Sequence, residues 1–577
     1  MSGSLRAAAP CFFSLLISAA APVCAAPAPQ QGPCAFVEID VAKYGLAPFQ
    51  NPPDLPGENG SLTTELAVEL TDPSATAIAG CSVSLRTYNG RLVGPTLRLR
   101  PGGTLNLRLS NQLPAESAQQ VADQAKQQAE QAFLATAPHS YNTTNLHTHG
   151  LHVSPQGNSD NVLLAIPPQT DFLYEIKVPA NHPPGTFWYH AHTHGSTAIQ
   201  VGSGMAGALI IEDAPAALPP ALLAATEREK VLIIQTILYD ATGEANDITA
   251  FFPDSPSTKT LCEQGNSGCT WQNSRRRITI NGQIVPVIRM RPGEVQRWRL
   301  IDAAFRESLN LRLEGHTLYE IALDGLYLGR VDAWGPDRSI ELQSGYRSDV
   351  LVQARSEPGR YRLIDAASAA NVSLRGIAEP ENVLAEVVVE GEPLPMELPT
   401  SDQMAALAPF PGVDLSETAD GVQTAVFQIG SAYNAKDKRN YFQINSHPFD
   451  PSRIRTLRLG ETEMWSLSTV GDPTGVPNCA GQDPDTCGPI PALPHVFHIH
   501  VNPFQVARQD PQGNREMVWK DTVLIPPGQT LNIFTRYLDY IGQFVMHCHI
   551  LDHEDLGMME LVEVVGQEPF APGHIAH

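Results

Sequence analysis

A cysteine between two histidines near the C-terminus constrains this chain more than any other feature. Cys548 lies between His547 and His549, and His553 and Met558 follow it by five and ten positions. A thiolate, imidazoles and a weak axial thioether are the ligands of a mononuclear blue-copper centre. If this segment is a strand, Cys548 points to one face and its two neighbours point to the other. We therefore expect one strand to connect a mononuclear copper to a second metal group behind it.

Three further clusters supply the ligands that a second metal group needs. They read His147-Thr148-His149, His190-Ala191-His192-Thr193-His194 and His495-Val496-Phe497-His498-Ile499-His500. Each His-x-His step places two imidazoles on one face of a strand, roughly 6 to 7 Å apart. A single pair of this kind is more often a surface or core feature. Four pairs in one chain, one of them around a cysteine, indicate neighbouring metal ions that share ligands.

Together these clusters resemble the multicopper oxidases, the three-domain family of laccases, ascorbate oxidases and bacterial copper-tolerance oxidases. All four signatures of that family are present in order, and the resemblance covers nearly the whole mature chain. The segment from His553 to Met559 looks most like the bacterial members. The resemblance implies an enzyme that couples one-electron oxidation of a small reducing substrate to the four-electron reduction of dioxygen to water.

The resemblance also implies four copper ions: one of type 1, one of type 2 and a type 3 pair. The implied type 1 ligands are His495, Cys548, His553 and, as the axial ligand, Met558. The implied type 2 ligands are His147 and His498. The implied type 3 ligands are the remaining six histidines of the four clusters, namely His149, His190, His192, His500, His547 and His549. His194 extends the second cluster, and we expect it near the metal group or at the surface rather than as a ligand.

Two carboxylates are candidates for proton delivery, because the reduction of dioxygen to water consumes four protons. Asp160 follows the first His-x-His-Gly, and Glu554 directly follows His553; both match acids of the family. The loop between His149 and Asp160 looks slightly longer than in close bacterial relatives. The alternative role for either acid is a surface salt bridge or a turn cap.

Three copies of one pattern predict the architecture. Apolar and polar residues alternate around turns at Pro101-Gly102, Pro292-Gly293 and Gly460, and each copy is followed downstream by a Gly-x-aromatic strand start at Gly185, Gly359 or Gly542. Repeated short strands of this kind favour related β-sandwiches. We predict an all-β fold of three cupredoxin-like Greek-key sandwich domains, with a short helical insertion at 114–138 in the first, where good helix formers replace the strand pattern.

Domain limits follow from composition and from histidine placement. We predict a signal peptide at 1–26, a first domain at 34–215 and a third domain at 412–567, both with metal ligands. A second domain at 226–392, with only His316, is predicted to be a copper-free spacer that shapes the groove between its neighbours. Ala- and Pro-rich segments at 214–226 and 391–412 are candidate linkers.

Charge and cysteine usage favour an exported protein. Of 577 residues, 38 are Lys or Arg and 61 are Asp or Glu, and the resulting net charge of −23 disfavours nucleic acid and anionic lipid as partners. The N-terminal apolar segment is too short to span a membrane. We expect a periplasmic or secreted protein, a monomer in the first instance and an oligomer as the alternative. Six cysteines remain besides Cys548 and the two in the signal. Sequence proximity favours the disulfides Cys262–Cys269 and Cys479–Cys487, which leaves Cys34–Cys81 by elimination; free buried thiols are the alternative.

Two substrate classes fit the sequence. One is phenols or aromatic amines, as for laccases, and the other is Cu(I) or another metal ion in copper tolerance. Copper-tolerance enzymes often carry methionine-rich inserts, since thioethers select Cu(I). This chain has ten methionines and no such insert, which favours organic substrates. A third interpretation, a copper-free cupredoxin scaffold, predicts missing ligand histidines, and none is missing.

Overall fold

A computed structural model describes residues 47–116, 138–239, 242–245, 276–369, 373–374, 379–408, 419–430, 441–472 and 491–566. Within these ranges the chain is built from strands, and the helices are few and short. The six larger sheets form three sandwiches, which confirms the predicted all-β fold. The predicted signal peptide and nearly all of the predicted helical insertion lie outside the described residues.

The first sandwich pairs a five-stranded sheet, in the order β1-β6-β11-β10-β8, with a four-stranded sheet, β5-β2-β7-β9. A two-stranded ribbon, β3-β4, accompanies them. The strands are β1 (Asp54–Pro56), β2 (Leu62–Leu70), β3 (Ala77–Ile78), β4 (Cys81–Ser82), β5 (Arg86–Tyr88), β6 (Thr96–Leu99), β7 (Thr104–Asn111), β8 (His147–His149), β9 (Thr170–Lys177), β10 (Gly185–His190) and β11 (Ala206–Ile211).

The second sandwich pairs a six-stranded sheet, β13-β12-β15-β20-β17-β18, with a five-stranded sheet, β14-β22-β21-β16-β19. Its strands are β12 (Lys230–Leu238), β13 (Arg276–Ile280), β14 (Val287–Met290), β15 (Val295–Asp302), β16 (Ser308–Leu313), β17 (Leu318–Leu323), β18 (Leu326–Trp334), β19 (Ile340–Gln343), β20 (Arg347–Gln353), β21 (Gly359–Asp365) and β22 (Asn382–Val389).

The third sandwich repeats the second strand for strand, with sheets β24-β23-β26-β31-β28-β29 and β25-β33-β32-β27-β30. Its strands are β23 (Gly421–Gly430), β24 (Tyr441–Ile444), β25 (Ile454–Arg458), β26 (Thr462–Val470), β27 (His495–Ile499), β28 (Phe504–Gln509), β29 (Arg515–Lys520), β30 (Thr522–Ile525), β31 (Thr530–Arg536), β32 (Gly542–Cys548) and β33 (Met559–Val565).

The repeated sequence pattern occupies equivalent places in the three sandwiches. Each glycine-containing turn joins strands of opposite sheets, β6 to β7, β14 to β15 and β25 to β26, so the chain crosses the core there. Gly185, Gly359 and Gly542 each begin the equivalent strands β10, β21 and β32. The strands of the three repeats fall within 34–215, 226–392 and 412–567, although the limits themselves stay predictions.

Alternating burial along the strands follows from the pleat, which sends successive side chains to opposite faces. In β7, for example, Leu105, Leu107 and Leu109 are buried and the residues between them are not. The second and third sandwiches share one continuous apolar core. Trp298 and Trp465, at equivalent places in β15 and β26, are fully buried in it, and each indole N–H donates a hydrogen bond to a neighbouring side chain.

The helices in the described ranges are α1 (Thr197–Ser203), α2 (Pro220–Thr226), α3 (Ser401–Met404) and α4 (Leu551–Asp555), with 3₁₀ turns at Pro215–Ala217 and Ala405–Leu407. A capping box formed by Thr400 and Gln403 begins α3. Among the described residues, no helix combines the length and the apolar character that crossing a membrane requires. Of the six cysteines in the predicted disulfides, only Cys81 is described, so all three pairings stay predictions.

Candidate metal centre

Paired strands of the first and third sandwiches carry the histidine clusters. In the first sandwich β10 runs antiparallel to β8, so that His190 is the register partner of His147. In the third, β32 runs antiparallel to β27, and His547 is the partner of His498. These two strand pairs hold equivalent places in the repeated topology. The repeat therefore places one half of a metal centre on each of two sandwiches.

The two halves meet ring against ring. The imidazole of His147 stacks on that of His500, with centroids 3.8 Å apart and planes inclined by 12°. His149 stacks on His498 in the same way, at 3.9 Å and 9°. The His-x-His of β8 thus lies against a His-x-His of the third sandwich. Residues 147–192 and 495–558 form one site, as the ligand assignment requires.

Cys548 and two histidines form the mononuclear candidate on the other face of β32. The Sγ of Cys548 lies 3.6 Å from Nδ1 of His495 and 3.8 Å from Nδ1 of His553, and the two nitrogens are 3.3 Å apart. A point equidistant from these three atoms is about 2 Å from each, which matches metal–nitrogen and is slightly short for metal–sulfur bonds. The donor set and its trigonal geometry therefore fit copper.

Burial and backbone contacts complete this candidate site. Burial raises the pKa of the Cys548 thiol to about 12, so a thiolate forms there only when a bound cation stabilises it. Met558 is fully buried. Its backbone N–H donates to the carbonyl of His553 at 2.9 Å, and its carbonyl accepts from the N–H of Cys548 at 3.0 Å. Backbone hydrogen bonds thus link Met558, the predicted axial ligand, to His553 and Cys548.

The eight remaining histidines converge on the opposite face and are at most 2 % exposed. Nε2 of His547 lies 3.1 Å from Nε2 of His192 and 3.4 Å from Nε2 of His500, which defines one group of three ligand atoms. His149, His190 and His549 surround a second position, with ring centroids 4.9 to 5.8 Å apart. His147 and His498 remain as the predicted type 2 pair. The allocation of each histidine to a particular copper stays a prediction.

Unpartnered nitrogens in this cluster fit metal ligation. Nε2 of His147, His190 and His498 and Nδ1 of His149 are buried without a hydrogen-bond partner among the described residues. Leaving buried polar atoms unpaired is costly unless something binds them. Burial, followed by repulsion from neighbouring histidines, lowers the pKa of His147 well below its usual range. The imidazoles are therefore neutral, which is the form that binds metal ions.

The ring nitrogen that faces away from the cluster is held by a hydrogen bond in several of these histidines, as is usual for a histidine that binds a metal ion. Nδ1 of His190 lies 2.8 Å from the carbonyl of Ala191, and Nδ1 of His547 lies 3.1 Å from the carbonyl of Cys548. Each contact makes Nδ1 the donor and leaves Nε2 for the metal. Short local contacts of this kind orient the rings before any metal binds.

The carboxylate of Asp160 lies beside the histidine cluster. Both of its oxygens are 3.1 Å from Nδ1 of His147, and one accepts the backbone N–H of Thr148 at 2.9 Å. Burial raises the pKa of Asp160 to about 7. The length of the loop after His149 therefore does not remove Asp160 from the site. Its proton-delivery role stays a prediction.

Glu554 contacts the same metal group from the other side. Its Oε1 is 3.4 Å from Nδ1 of His192, and its Oε2 is 3.3 Å from Nδ1 of His547. The hydroxyl of Thr197 donates to Oε1 at 3.2 Å. Burial raises the pKa of Glu554 well above its usual range, and the charge of Asp555 raises it further. A carboxyl between two histidine rings, with its pKa raised by burial, suits a proton donor.

Three functional positions were not predicted from the sequence. Asp555 accepts the backbone N–H groups of Gly195, Thr197 and Ala198 and so joins α1 to the third sandwich. Asp521 accepts from Nε2 of His149 at 3.1 Å. Arg347, from the second sandwich, forms a buried ion pair with Asp521. Of the three, only Arg347 lies in a strand, and their partners lie far away in sequence, so no local pattern marked these residues.

Burial and a cation act in opposite directions on Asp521. Burial alone would raise its pKa, but the charge and hydrogen bonds of Arg347 outweigh burial and lower it overall. Asp521 is therefore ionised and remains an acceptor at neutral pH. The second sandwich, which the sequence suggested to be a spacer, thus supplies the cation that keeps this carboxylate charged.

The other histidines have separate surroundings. His194 and His139 line a pocket of about 320 Å³ that also reaches His192. His152 contacts the carbonyl of Val501 and the carboxylate of Asp539, both at 2.8 Å, and so joins the first and third sandwiches. His182 accepts the backbone N–H of His152 at 3.1 Å, so these two histidines contact each other rather than the cluster. His316 contacts the carbonyl of Glu314, and His447 is half-buried.

Comparison with known proteins identifies the class. A buried Cys-His-His centre joined through one strand to eight further imidazoles is the arrangement of copper oxidases built from cupredoxin-like sandwiches. Three family models, each described as multicopper oxidase, match residues 127–216, 242–382 and 423–568. These matches lie one in each sandwich and together span well over half of the chain. The chain belongs to the multicopper oxidase family.

Individual relatives are distant but nearly full-length. A multicopper oxidase of Staphylococcus aureus is 25% identical over 484 residues, covering 83% of each chain. A laccase of Bacillus subtilis is 24% identical over 511 residues, covering 83% of this chain and 89% of its own. The structure of a multicopper oxidase from Campylobacter jejuni, described as a metallo-oxidase, aligns with a TM-score of 0.65 at 21% identity, covering 92% of this chain and 100% of its own. The protein is thus a copper-dependent oxidoreductase that uses dioxygen and a reducing substrate.

Proposed function

We propose that this protein is a laccase-like oxidase of phenols or aromatic amines with four copper ions. The observation that carries this proposal is the position of β32, which lies between the Cys-His-His triangle and the eight-imidazole cluster. The proposed type 1 ligands are His495, Cys548, His553 and Met558. The proposed type 2 and type 3 ligands are the eight buried histidines that converge behind Cys548, five of which have a ring nitrogen without a hydrogen-bond partner among the described residues.

When bound, copper ions supply one-electron oxidation of the reducing substrate at the mononuclear site and four-electron reduction of dioxygen at the cluster. The chain supplies the connection between the two sites. His547 and His549 are bonded in sequence to Cys548, and alternation along the strand sends them to the opposite face. Because all three side chains are buried, bulk water is excluded from this connection.

Two carboxyl groups relay the four protons that water formation consumes, one proton at a time. Asp160 contacts His147, and Glu554 lies between His192 and His547, so the two acids approach the cluster from different sides. A positioned acid transfers its proton to a reacting group directly or through one water molecule. We assign both acids to proton delivery.

Replacing Asp160 by asparagine is expected to lower kcat by roughly 10²-fold, the lower range for loss of a general acid. The amide keeps the size of the side chain and an acceptor for Thr148, but it cannot hold a transferable proton. Steady-state oxygen uptake measures the change. Asp171→Asn, an exposed carboxylate of β9, serves as the control and should leave kcat unchanged. Equal rates for Asp160→Asn and wild type would remove Asp160 from the mechanism.

Aromatic surroundings of the mononuclear site favour an organic substrate. The half-buried ring of Phe442 lies 4.9 Å, centroid to centroid, from that of His553. Phe427 lies 5.9 Å from His495 in a stacked arrangement. Aromatic rings pair favourably with one another, so this aromatic environment suits a substrate that is itself an aromatic ring. No methionine is exposed among the described residues, so these ranges offer no thioether cluster for Cu(I).

Turnover of a substituted phenol and of Cu(I) separates the two substrate classes. We expect phenol oxidation by the four-copper enzyme at the same rate with and without added Cu(II), and a lower kcat/KM for Cu(I). Oxygen uptake with each substrate is the measurement. Phenol oxidation that appears only with excess copper would instead establish a cuprous oxidase, in which the added metal carries electrons to the phenol.

A further inference from the structure

The guanidinium of Arg347 lies where the three sandwiches meet. It is fully buried, and each of its N–H groups has an acceptor. Nε donates to the carbonyl of Thr186 in the first sandwich at 3.4 Å. Nη1 donates to the carbonyl of Gly345 at 2.9 Å, and Nη2 to that of Asp324 at 2.8 Å, both in the second sandwich. The remaining two N–H groups bind the two carboxylate oxygens of Asp521 in the third.

The carboxylate of Asp521 transmits this contact to the proposed ligands. Its Oδ1 accepts one hydrogen bond from Nη1 of Arg347 at 2.8 Å and another from Nε2 of His149 at 3.1 Å. Its backbone carbonyl accepts from Nδ1 of His498 at 2.8 Å. His149 is thereby left with Nδ1, and His498 with Nε2, as the nitrogen that can bind a metal. Both of these nitrogens lack a hydrogen-bond partner among the described residues.

The turn before Arg347 also touches the cluster. Gly345 has a φ of +92°, and a Cβ built there would lie 3.1 Å from His549 and 3.2 Å from Cε1 of His149. A side chain at this position would be strained and would press on both rings. Since Nη1 of Arg347 holds the carbonyl of Gly345, the same guanidinium fixes this wall of the cluster.

We propose that Arg347 is a positioning residue through which the second sandwich, although it carries no copper ligand, sets the ring orientation of His149 and His498. The proposal rests on the proposed assignment of these two histidines to the cluster. Outer partners of metal ligands typically contribute 10- to 100-fold to metal affinity or activity.

Lysine cannot replace arginine in this role. Arginine presents five N–H donors in a rigid fork, and all five are used here. Lysine has three donors, so at least two of the acceptors around residue 347 would lose their partner. A purely electrostatic role would be kept by lysine, whereas a positioning role requires the fork.

The test compares Arg347→Met and Arg347→Lys with Arg297→Met in the copper-loaded enzyme. Arg297 is the matched control because it is also a fully buried arginine of the second sandwich, and it pairs with Asp349 and Asp213 without touching any proposed ligand or Asp521. For each variant we would measure the copper content and the electron paramagnetic resonance spectrum of the type 2 centre. We would also compare the change in KM for dioxygen with the change in KM for phenol.

Both Arg347 variants are expected to keep the blue type 1 absorption. They should also show an altered type 2 spectrum or a reduced copper content, and a 10- to 100-fold lower kcat/KM for dioxygen. KM for phenol and the anaerobic reduction of the type 1 centre should not change. Arg297→Met should lower thermal stability without altering the type 2 spectrum.

An unaltered type 2 spectrum and copper content in Arg347→Lys would overturn the proposal, because lysine keeps the charge without the fork. If neither variant folds, Asp521→Asn decides, because it removes the charged acceptor while keeping the size of the side chain; wild-type spectra in that variant would also overturn it. Failure of the proposed function looks different, since wild-type protein loaded with copper would then lack either the blue centre or the cluster.

Discussion

Cys548→Ser is expected to abolish the blue colour and to reduce substrate oxidation to background. The thiolate is the soft ligand that defines a type 1 centre, and a hydroxyl does not replace it. The sulfur also begins the bonded connection to His547 and His549, so the cluster would lose its source of electrons. Visible absorption, copper content and oxygen uptake measure the effect, and we expect copper to fall from four ions to three.

A neighbouring substitution provides the control for this experiment. Met559 directly follows the predicted axial ligand and is also buried, but it has no assigned role. Met559→Leu conserves volume and should cost less than about 1.5 kcal/mol while keeping the colour. A Cys548→Ser protein that remains blue and active would place the mononuclear site elsewhere and would contradict the ligand assignment.

Glu554→Gln is expected to slow turnover by roughly 10²- to 10⁴-fold, the range for loss of general acid catalysis. The carboxyl oxygens of Glu554 lie 3.4 and 3.3 Å from Nδ1 of His192 and His547. Glutamine has the same shape but no proton to give, so reduction of dioxygen should stall. Substrate should still bleach the blue colour under anaerobic conditions at the wild-type rate, and recovery of the colour on adding dioxygen should be slow.

Stopped-flow absorption follows the two half-reactions separately. Glu560→Gln is the matched control, because that carboxylate forms an ion pair with Arg455 and contacts no proposed ligand. It should leave both half-reactions unchanged. Equal slowing of bleaching and recovery in Glu554→Gln would indicate a damaged fold, and unchanged recovery would remove Glu554 from proton delivery.

The sandwich fold was predictable because its signals are local. Alternation around the Pro-Gly turns predicted strand pairs, and Gly185, Gly359 and Gly542 marked equivalent strand starts. The sequence could not tell that each turn joins opposite sheets. A two-residue repeat specifies which side chains share a face, but not which strand pairs with which, since that depends on contacts between distant segments.

The candidate site also has a part that the sequence predicts and a part that it does not. The four histidine clusters are visible because metal ligation requires two imidazoles on one strand face, and this spacing is short in sequence. Asp521 and Arg347 were not found, because the former is separated from His149 by more than 370 positions. Neither residue belongs to a motif, and each acquires its role only from its neighbours in space.

The sequence by itself determined the donor atoms, their alternation about Cys548 and the repeated strands that carry them, because chemistry and periodicity are properties of short segments. Only the tertiary structure decided that His147 and His149 stack on His500 and His498, which ring nitrogen each histidine presents, and that the second sandwich supports the cluster through Arg347. The physical reason is that burial, pairing of a carboxylate with a cation and ring orientation depend on how three separately patterned sandwiches pack together.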